Sequence, residues 1–184
     1  FVDNFEIFGH TNYIHQFISE AFPREIQFDR SKINVASLDI EVASDEGFPY
    51  PEKANQPIIS IALKLSIKSK YYVWGLNEFD KTKVDYNVQY IQCNDEVELL
   101  KSFIDFWSTF ENTPDIITGW NTRFFDIPYL VNRTNIILGS EFKRYSPWGS
   151  VKPPHKAVTI QGKHHPTYLI KGIEILDYLE LFKK

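Results

Sequence analysis

The sequence predicts a mixed α/β domain: a sheet with helices packed on its faces and a β-hairpin inserted late in the chain. Three observations carry this prediction. Strand-like runs with a two-residue period come first, strand-like and helix-like runs then alternate, and large apolar side chains suffice for one sizeable core. Of the 184 residues 43% are hydrophobic, including 15 Phe, 10 Tyr and 4 Trp, which excludes a disordered tail.

Asn12 to Phe22 reads as a short amphipathic helix, because Ile14, Phe17, Ile18 and Ala21 recur at helical spacing. Thr11 or Asn12 can cap it and Pro23 ends it. Residues 1–33 are taken as an extension packing on a domain that spans 34–184. Asn34 to Val42 is a strand: Leu38, Ile40 and Val42 alternate with Asp39 and Glu41. Gly47, Pro49, Pro51 and several acids make Ala43 to Gln56 an exposed, turn-rich loop. Pro57 to Ile67 and Tyr71 to Trp74 read as an antiparallel pair, with a third short strand at Val88 to Gln92. Asn94 is the expected cap of a helix from Asp95 to about Phe110, with Val97, Leu100, Ile104 and Trp107 along its apolar stripe. Asp115 to Gly119 is a short apolar strand. Phe125 to Leu138 is a second helix, with Pro128 tolerated in its first turn and Gly139 at its end. Ala157 to Ile160 and Thr167 to Ile170 are expected to pair as a hairpin around a tip at Gln161 to Pro166. Ile173 to Asp177 is a last strand, followed by the beginning of a helix.

Composition narrows the class further. A single Cys excludes a disulfide scaffold and a Cys-rich zinc site, and Cys93 reads as a small core residue. No run approaches the roughly 20 apolar residues of a membrane helix, and no signal-peptide order opens the chain, so a cytoplasmic protein without membrane contact is expected. With no Met and with Phe at position 1, the chain reads as a piece of a longer polypeptide, expected to be monomeric. The net charge of -4 hides a split. Lys143, Arg144, Lys152, Lys156, Lys163 and Lys171 fall in residues 142–172, which hold no Asp or Glu, leaving 14 basic against 24 acidic residues elsewhere. A basic segment on an acidic body suits contact with a phosphate backbone, although a solvated hairpin whose charges serve solubility has the same pattern. His155, His164 and His165 lie in that segment and read as solvated tip residues, not as a metal site.

Asp39 and Glu41, two apart on one strand, leave the same face. Two adjacent carboxylates repel each other, an arrangement that a hard divalent cation with oxygen ligands makes favourable. A strand with one charged, solvent-facing side gives the same pattern. Asp126 supplies a second acidic position, after a short strand and at the opening of a helix, where the helix dipole favours a carboxylate and α/β sheets build their sites. With Trp120, Arg123 and Phe124 as neighbours, the three acids together favour a functional site over independent structural charges.

At these residues the chain resembles the proofreading 3'→5' exonuclease domain of family B DNA polymerases, most closely those of T-even-type bacteriophages. Leu38-Asp39-Ile40-Glu41 looks like the first exonuclease motif. Thr118-Gly119-Trp120-Asn121 followed by Phe125-Asp126-Ile127-Pro128-Tyr129 looks like the second, and Ile175-Leu176-Asp177-Tyr178-Leu179-Glu180-Leu181 resembles the segment that follows the hairpin. The resemblance implies a ribonuclease-H-like fold in which Asp39, Glu41 and Asp126 are three of four carboxylates holding two Mg²⁺ or Mn²⁺ ions. It further implies that Asn121 hydrogen-bonds near the scissile end, that Phe124 or Phe125 packs on frayed bases, and that Arg123, Lys156 and Lys163 contact DNA. DNA and the remainder of a polymerase chain are the implied partners. The implied third motif, a closely spaced Tyr and Asp on a later helix, lies downstream of residue 184, and Asp177 with Tyr178 has neither its order nor its spacing. Weak hydrolysis or none is therefore expected of this chain alone. Three other readings remain at this point: a noncatalytic nucleic-acid-binding module, a free-standing ribonuclease-H-like exonuclease acting on RNA, and a two-carboxylate glycosidase, which leaves the basic hairpin unexplained.

Overall fold

The computed structural model describes residues 13–25, 27–45, 47–153, 158–160, 163–165 and 167–182. The chain forms two compact units, Phe1–Arg30 and Ser31–Lys184. The first holds helix α1 (Tyr13–Ala21), which ends before Pro23 as expected; the proposed caps Thr11 and Asn12 lie outside the described residues.

The second unit is built on a sheet of strands β1 (Val35–Val42), β2 (Ile58–Leu65), β3 (Tyr71–Gly75), β4 (Val88–Gln92), β5 (Ile116–Gly119) and β10 (Glu174–Asp177). Its order is β10-β5-β1-β2-β3-β4, with β1, β5 and β10 parallel and β2 antiparallel to both β1 and β3. β4 runs parallel to β3. This is the mixed sheet with flanking helices that the sequence predicts. On β1 the alternation holds: Ala36, Leu38 and Ile40 are buried while Ser37, Asp39 and Glu41 are exposed. A register shift between Glu41 and Val42 ends the regular ladder beside the acids, as bulges near functional sites often do.

Helices α2 (Glu96–Trp107) and α3 (Asp126–Leu138) cover the apolar face, α2 over β2 and β3 and α3 over β1. Trp74 of β3 packs edge-on to Phe103 and Phe106, with 5.1 Å between centroids, and its indole N–H donates to Ser102 Oγ at 3.0 Å. A 3₁₀ segment, Gly139–Tyr145, closes this core: Trp107 donates to the Tyr145 carbonyl at 3.0 Å, and the buried Tyr145 and Thr134 hydroxyls meet at 2.8 Å. Cys93 is buried there, and burial pushes its thiol pKa up. Gly139 ends α3 with φ 62, the left-handed geometry glycine tolerates.

Several expectations are corrected. The α2 cap is Asp95, not Asn94: its carboxylate accepts from the Glu98 N–H at 2.8 Å, while Glu98 reaches back to the Asn94 N–H at 2.8 Å. The helix stops at Trp107 and Phe110 beyond it is exposed, while Val97, at the edge of its first turn, is not part of the buried stripe of Leu99, Leu100, Phe103, Ile104 and Trp107. The expected pairing of Thr167 to Ile170 with Ala157 to Ile160 is not found among the described residues, which exclude Ala157. β9 (Leu169–Ile170) pairs with β6 (Val151–Lys152), and β7 (Val158–Ile160) pairs with β8 (Lys163–His165). Runs this short carry too little periodicity to select a partner. The 43–56 loop is only partly exposed: Pro49, Pro51, Ala54 and Gln56 are buried. Among the described residues, no helix is long and apolar enough to cross a membrane.

Candidate active site

The site forms where β5 stops and leaves part of β1 without a neighbour. β5 pairs with β1 only through Ser37, and the register places the Ile40 N–H on the side that β5 no longer covers. A buried backbone donor there needs an acceptor. Asp126, at the first turn of α3, supplies it: Oδ1 accepts from the Ile40 N–H at 3.0 Å, across 86 residues of sequence. The carboxyl group of Asp126 thereby lies beside the residue between Asp39 and Glu41. α3 has no side-chain cap at Phe125, and the acid that opens it reaches across the molecule to β1.

Asp126 is 3% exposed. Burial is the main cause that pushes its pKa up to about 7; the Ile40 N–H acts in the opposite direction, and nearby Asp39 and Asp177 add to the rise. Asp39 and Glu41 stay on the exposed face. All the oxygens here are hard donors. Among the described residues, however, no three His, Cys, Asp or Glu side chains are gathered as a ready-made cage. Asp126 Oδ1 is committed to Ile40, and the other two acids are directed outward.

The turn between β5 and α3 is tightly specified. A Cβ on Gly119 would lie 2.7 Å from the Leu38 carbonyl and 2.1 Å from Thr122 Oγ1, so only glycine lets β5 and β1 approach this closely. Asn121 follows with φ 60, a conformation Asn tolerates better than most residues. Its carbonyl accepts from the Phe124 and Phe125 N–H groups, which start the helix. Asp177, which with Tyr178 lacks the order and spacing of the implied third motif, accepts from the backbone N–H groups of Asn121, Arg123 and Leu179, each at 2.9 Å.

The other candidates are distributed around this centre. Arg123 Nη1 pairs with Glu180 at 3.0 Å and its guanidinium lies over the Phe124 ring at 5.8 Å. It lines a cavity of about 410 Å³ beside β10, together with Trp148 and Tyr168, rather than facing Asp39. Phe125 turns inward against Tyr129, 5.8 Å away. Trp120 is exposed beside Phe182. Lys163 opens β8, while His155 and Lys156 lie outside the described residues.

Residues absent from the sequence reading complete one edge. Phe48, 67% exposed, packs on Phe125 at 6.0 Å and on Tyr50 at 5.4 Å. The loop that carries them is fastened to α3: the Tyr129 hydroxyl donates to the Gln56 carbonyl at 2.7 Å, Asn132 donates to the Pro51 carbonyl at 2.8 Å, and Arg133 donates to the Ala54 carbonyl at 3.1 Å. The only signal for this in the sequence is the density of aromatics and prolines between residues 48 and 51.

The chain matches the family described as DNA polymerase family B, exonuclease domain, over residues 13–184. It is 33% identical to the DNA-directed DNA polymerase of Escherichia phage RB69 and 34% identical to that of Enterobacteria phage T4, each over 97% of this chain and 22% of the relative. It is 27% identical to the DNA polymerase delta catalytic subunit of Candida albicans over 83% of this chain and 15% of the relative. The chain therefore spans about a fifth of the length of the phage relatives, at 22%. Two motifs in order, a mixed sheet that brings Asp126 to the first of them, and a family match over most of the chain lead to one conclusion: the chain belongs to the exonuclease-domain family of family B DNA polymerases.

Proposed function

We propose that this chain removes 3'-terminal nucleotides from single-stranded or frayed DNA, as the proofreading part of a replicative polymerase. The observation that carries this reading is the Asp126–Ile40 hydrogen bond, which brings an acid from the start of α3 to the strand segment holding Asp39 and Glu41. The donor set fits Mg²⁺ or Mn²⁺: it consists of carboxylate oxygens, and an acid held near neutrality by burial gains most from a nearby cation. Two such ions, when bound, supply an activated attacking water and the charge that stabilises the leaving 3' oxygen.

In this reading Asp39, Glu41 and Asp126 would hold the ions through their carboxylate oxygens. Asn121 offers a neutral amide to the scissile end. Phe124 and the Phe48–Tyr50 edge offer ring faces to the terminal bases, which suits an editor that accepts any nucleotide. Lys156 and Lys163 contact phosphates, so binding weakens as salt rises. The resemblance implies a fourth carboxylate, and Asp177 is occupied by three backbone N–H groups, so hydrolysis by this chain alone is slow.

The test is digestion of a single-stranded and a 3'-recessed oligonucleotide with Mg²⁺ or Mn²⁺, alongside calorimetric titration of Mn²⁺. Nucleotides are expected to leave one at a time from the 3' end, with EDTA or Asp39→Ala abolishing both hydrolysis and Mn²⁺ uptake. A wild-type chain that takes up no Mn²⁺ and whose DNA affinity survives Asp39→Ala would instead indicate a noncatalytic binding module. Phe48→Ala is expected to weaken single-stranded DNA binding about tenfold, the value of one lost base stack, with Mn²⁺ affinity unchanged. Fluorescence anisotropy with a labelled oligonucleotide reads the first effect and calorimetry the second.

A further inference from the structure

We propose that Asp177 is a positioning residue of the nuclease site, whose carboxylate shapes the 120–125 loop so that Asn121 and Asp126 are presented to the metal-binding acids. The inference rests on the nuclease reading and assigns a role to a residue that touches neither metal nor substrate. Asp177 ends β10, where the parallel register sets it against Gly119, the last residue of β5. It is 1% exposed. Oδ1 accepts from the N–H groups of Asn121 and Leu179, and Oδ2 from that of Arg123. Both oxygens of this carboxylate are thus engaged by backbone donors of the loop and of the segment after β10.

A loop of six residues between a strand and a helix has many alternative shapes, and fixing each backbone has an entropy cost. This loop also has two donors that regular structure leaves without partners, the Asn121 and Arg123 N–H groups. Asp177 satisfies both with charge-assisted bonds, which are the stronger kind. The consequence travels a short distance. Asn121 is held at φ 60, its carbonyl starts α3 by accepting from Phe124 and Phe125, and α3 then delivers Asp126 to Ile40.

The same carboxylate caps α4 (Tyr178–Phe182) through Leu179, and Thr118 Oγ1 donates to the Leu176 carbonyl at 2.7 Å. β10, the start of α4 and the 120–125 loop are thus tied together at one buried group. Asn at this position keeps a single acceptor oxygen and turns an N–H₂ group toward backbone donors. It therefore cannot satisfy all three.

The role is tested on this chain with Asp177→Asn and Asp177→Ser, the latter keeping one hydroxyl able to cap α4 while losing the second acceptor. Mn²⁺ affinity is measured by calorimetry, thermal unfolding confirms folding, and amide hydrogen exchange is followed at Asn121 and Arg123 and across residues 126–129. Both variants are expected to stay folded, to lose exchange protection in the loop, and to bind Mn²⁺ about 10- to 100-fold more weakly, as for residues that orient metal ligands. Glu180→Gln, which removes only the exposed ion pair to Arg123, is expected to leave Mn²⁺ affinity within about twofold. Wild-type Mn²⁺ affinity in a folded Asp177→Ser variant overturns the proposal and leaves Asp177 as a helix cap. If the wild-type chain itself takes up no Mn²⁺, the nuclease reading fails instead, and unchanged exchange in the loop then overturns the positioning role separately.

Discussion

Asp126→Asn is expected to stabilise the metal-free chain above pH 7 while abolishing metal-dependent hydrolysis. The folded protein raises the Asp126 carboxyl pKa to about 7, from the 3.8 of a free aspartate side chain. Between these values the folded state binds the proton and the unfolded state does not. Stability is therefore greatest at low pH, falls as pH rises from about 4 to about 7, and stays low above that. At about 1.4 kcal/mol per pKa unit, the penalty reaches about 4 kcal/mol at most. Asn has a similar shape, keeps an oxygen for the Ile40 N–H, and never ionises. Thermal unfolding across pH 4 to 8 should show the wild type losing stability and the variant staying flat, the two meeting at the acid end. Adding Mn²⁺ at pH 8 should raise the wild type more than the variant, which keeps Asp39 and Glu41 but lacks the third carboxylate. Parallel profiles for the two proteins would mean that Asp126 is not the titrating group. An acid that weakens the protein when charged is the arrangement expected where a cation is meant to neutralise it.

Glu96→Ala is expected to cost about 3 to 5 kcal/mol, the penalty for leaving a buried partner charge unpaired. Arg133 holds Glu96 through two bonds of 2.8 and 2.6 Å, and each side chain is only 11% exposed. Glu96 Oε1 also accepts from the Ile58 N–H at 2.7 Å, so the acid joins the start of α2, the edge of β2 and the middle of α3. A chain of this size should lose on the order of 10 °C in Tm. Replacing both residues by Met should cost less than Glu96→Ala alone, because no charge is then stranded. A double replacement that equals the sum of the single ones would show that the pair is not coupled. Because Arg133 also donates to the Ala54 carbonyl, Arg133→Met alone should loosen the 43–56 loop and weaken single-stranded DNA binding through Phe48.

Much of this was legible in the sequence because it depends on neighbours along the chain. The alternation of Leu38, Asp39, Ile40 and Glu41 determines which side chains share a face of β1, and residues Asp126 to Leu138 state their own helix through spacing and a closing glycine. The candidate acids were legible for the same reason. The partner of β9 was not, since two-residue strands hold no pattern that distinguishes β6 from β7. Val97 was misplaced because it lies in the first turn of α2 at the edge of the buried stripe, where spacing alone does not separate buried from exposed positions.

By itself, then, the amino-acid order determined the element types, the acids on offer and the family resemblance. The tertiary structure decided which unpaired backbone donors those acids would meet: Ile40 for Asp126, Asn121 and Arg123 for Asp177, Ile58 for Glu96. The reason is physical. A carboxylate's chemistry is local, but a buried N–H becomes an orphan only when sheet order and strand length are settled, and the acid that satisfies it comes from 38 to 86 residues away.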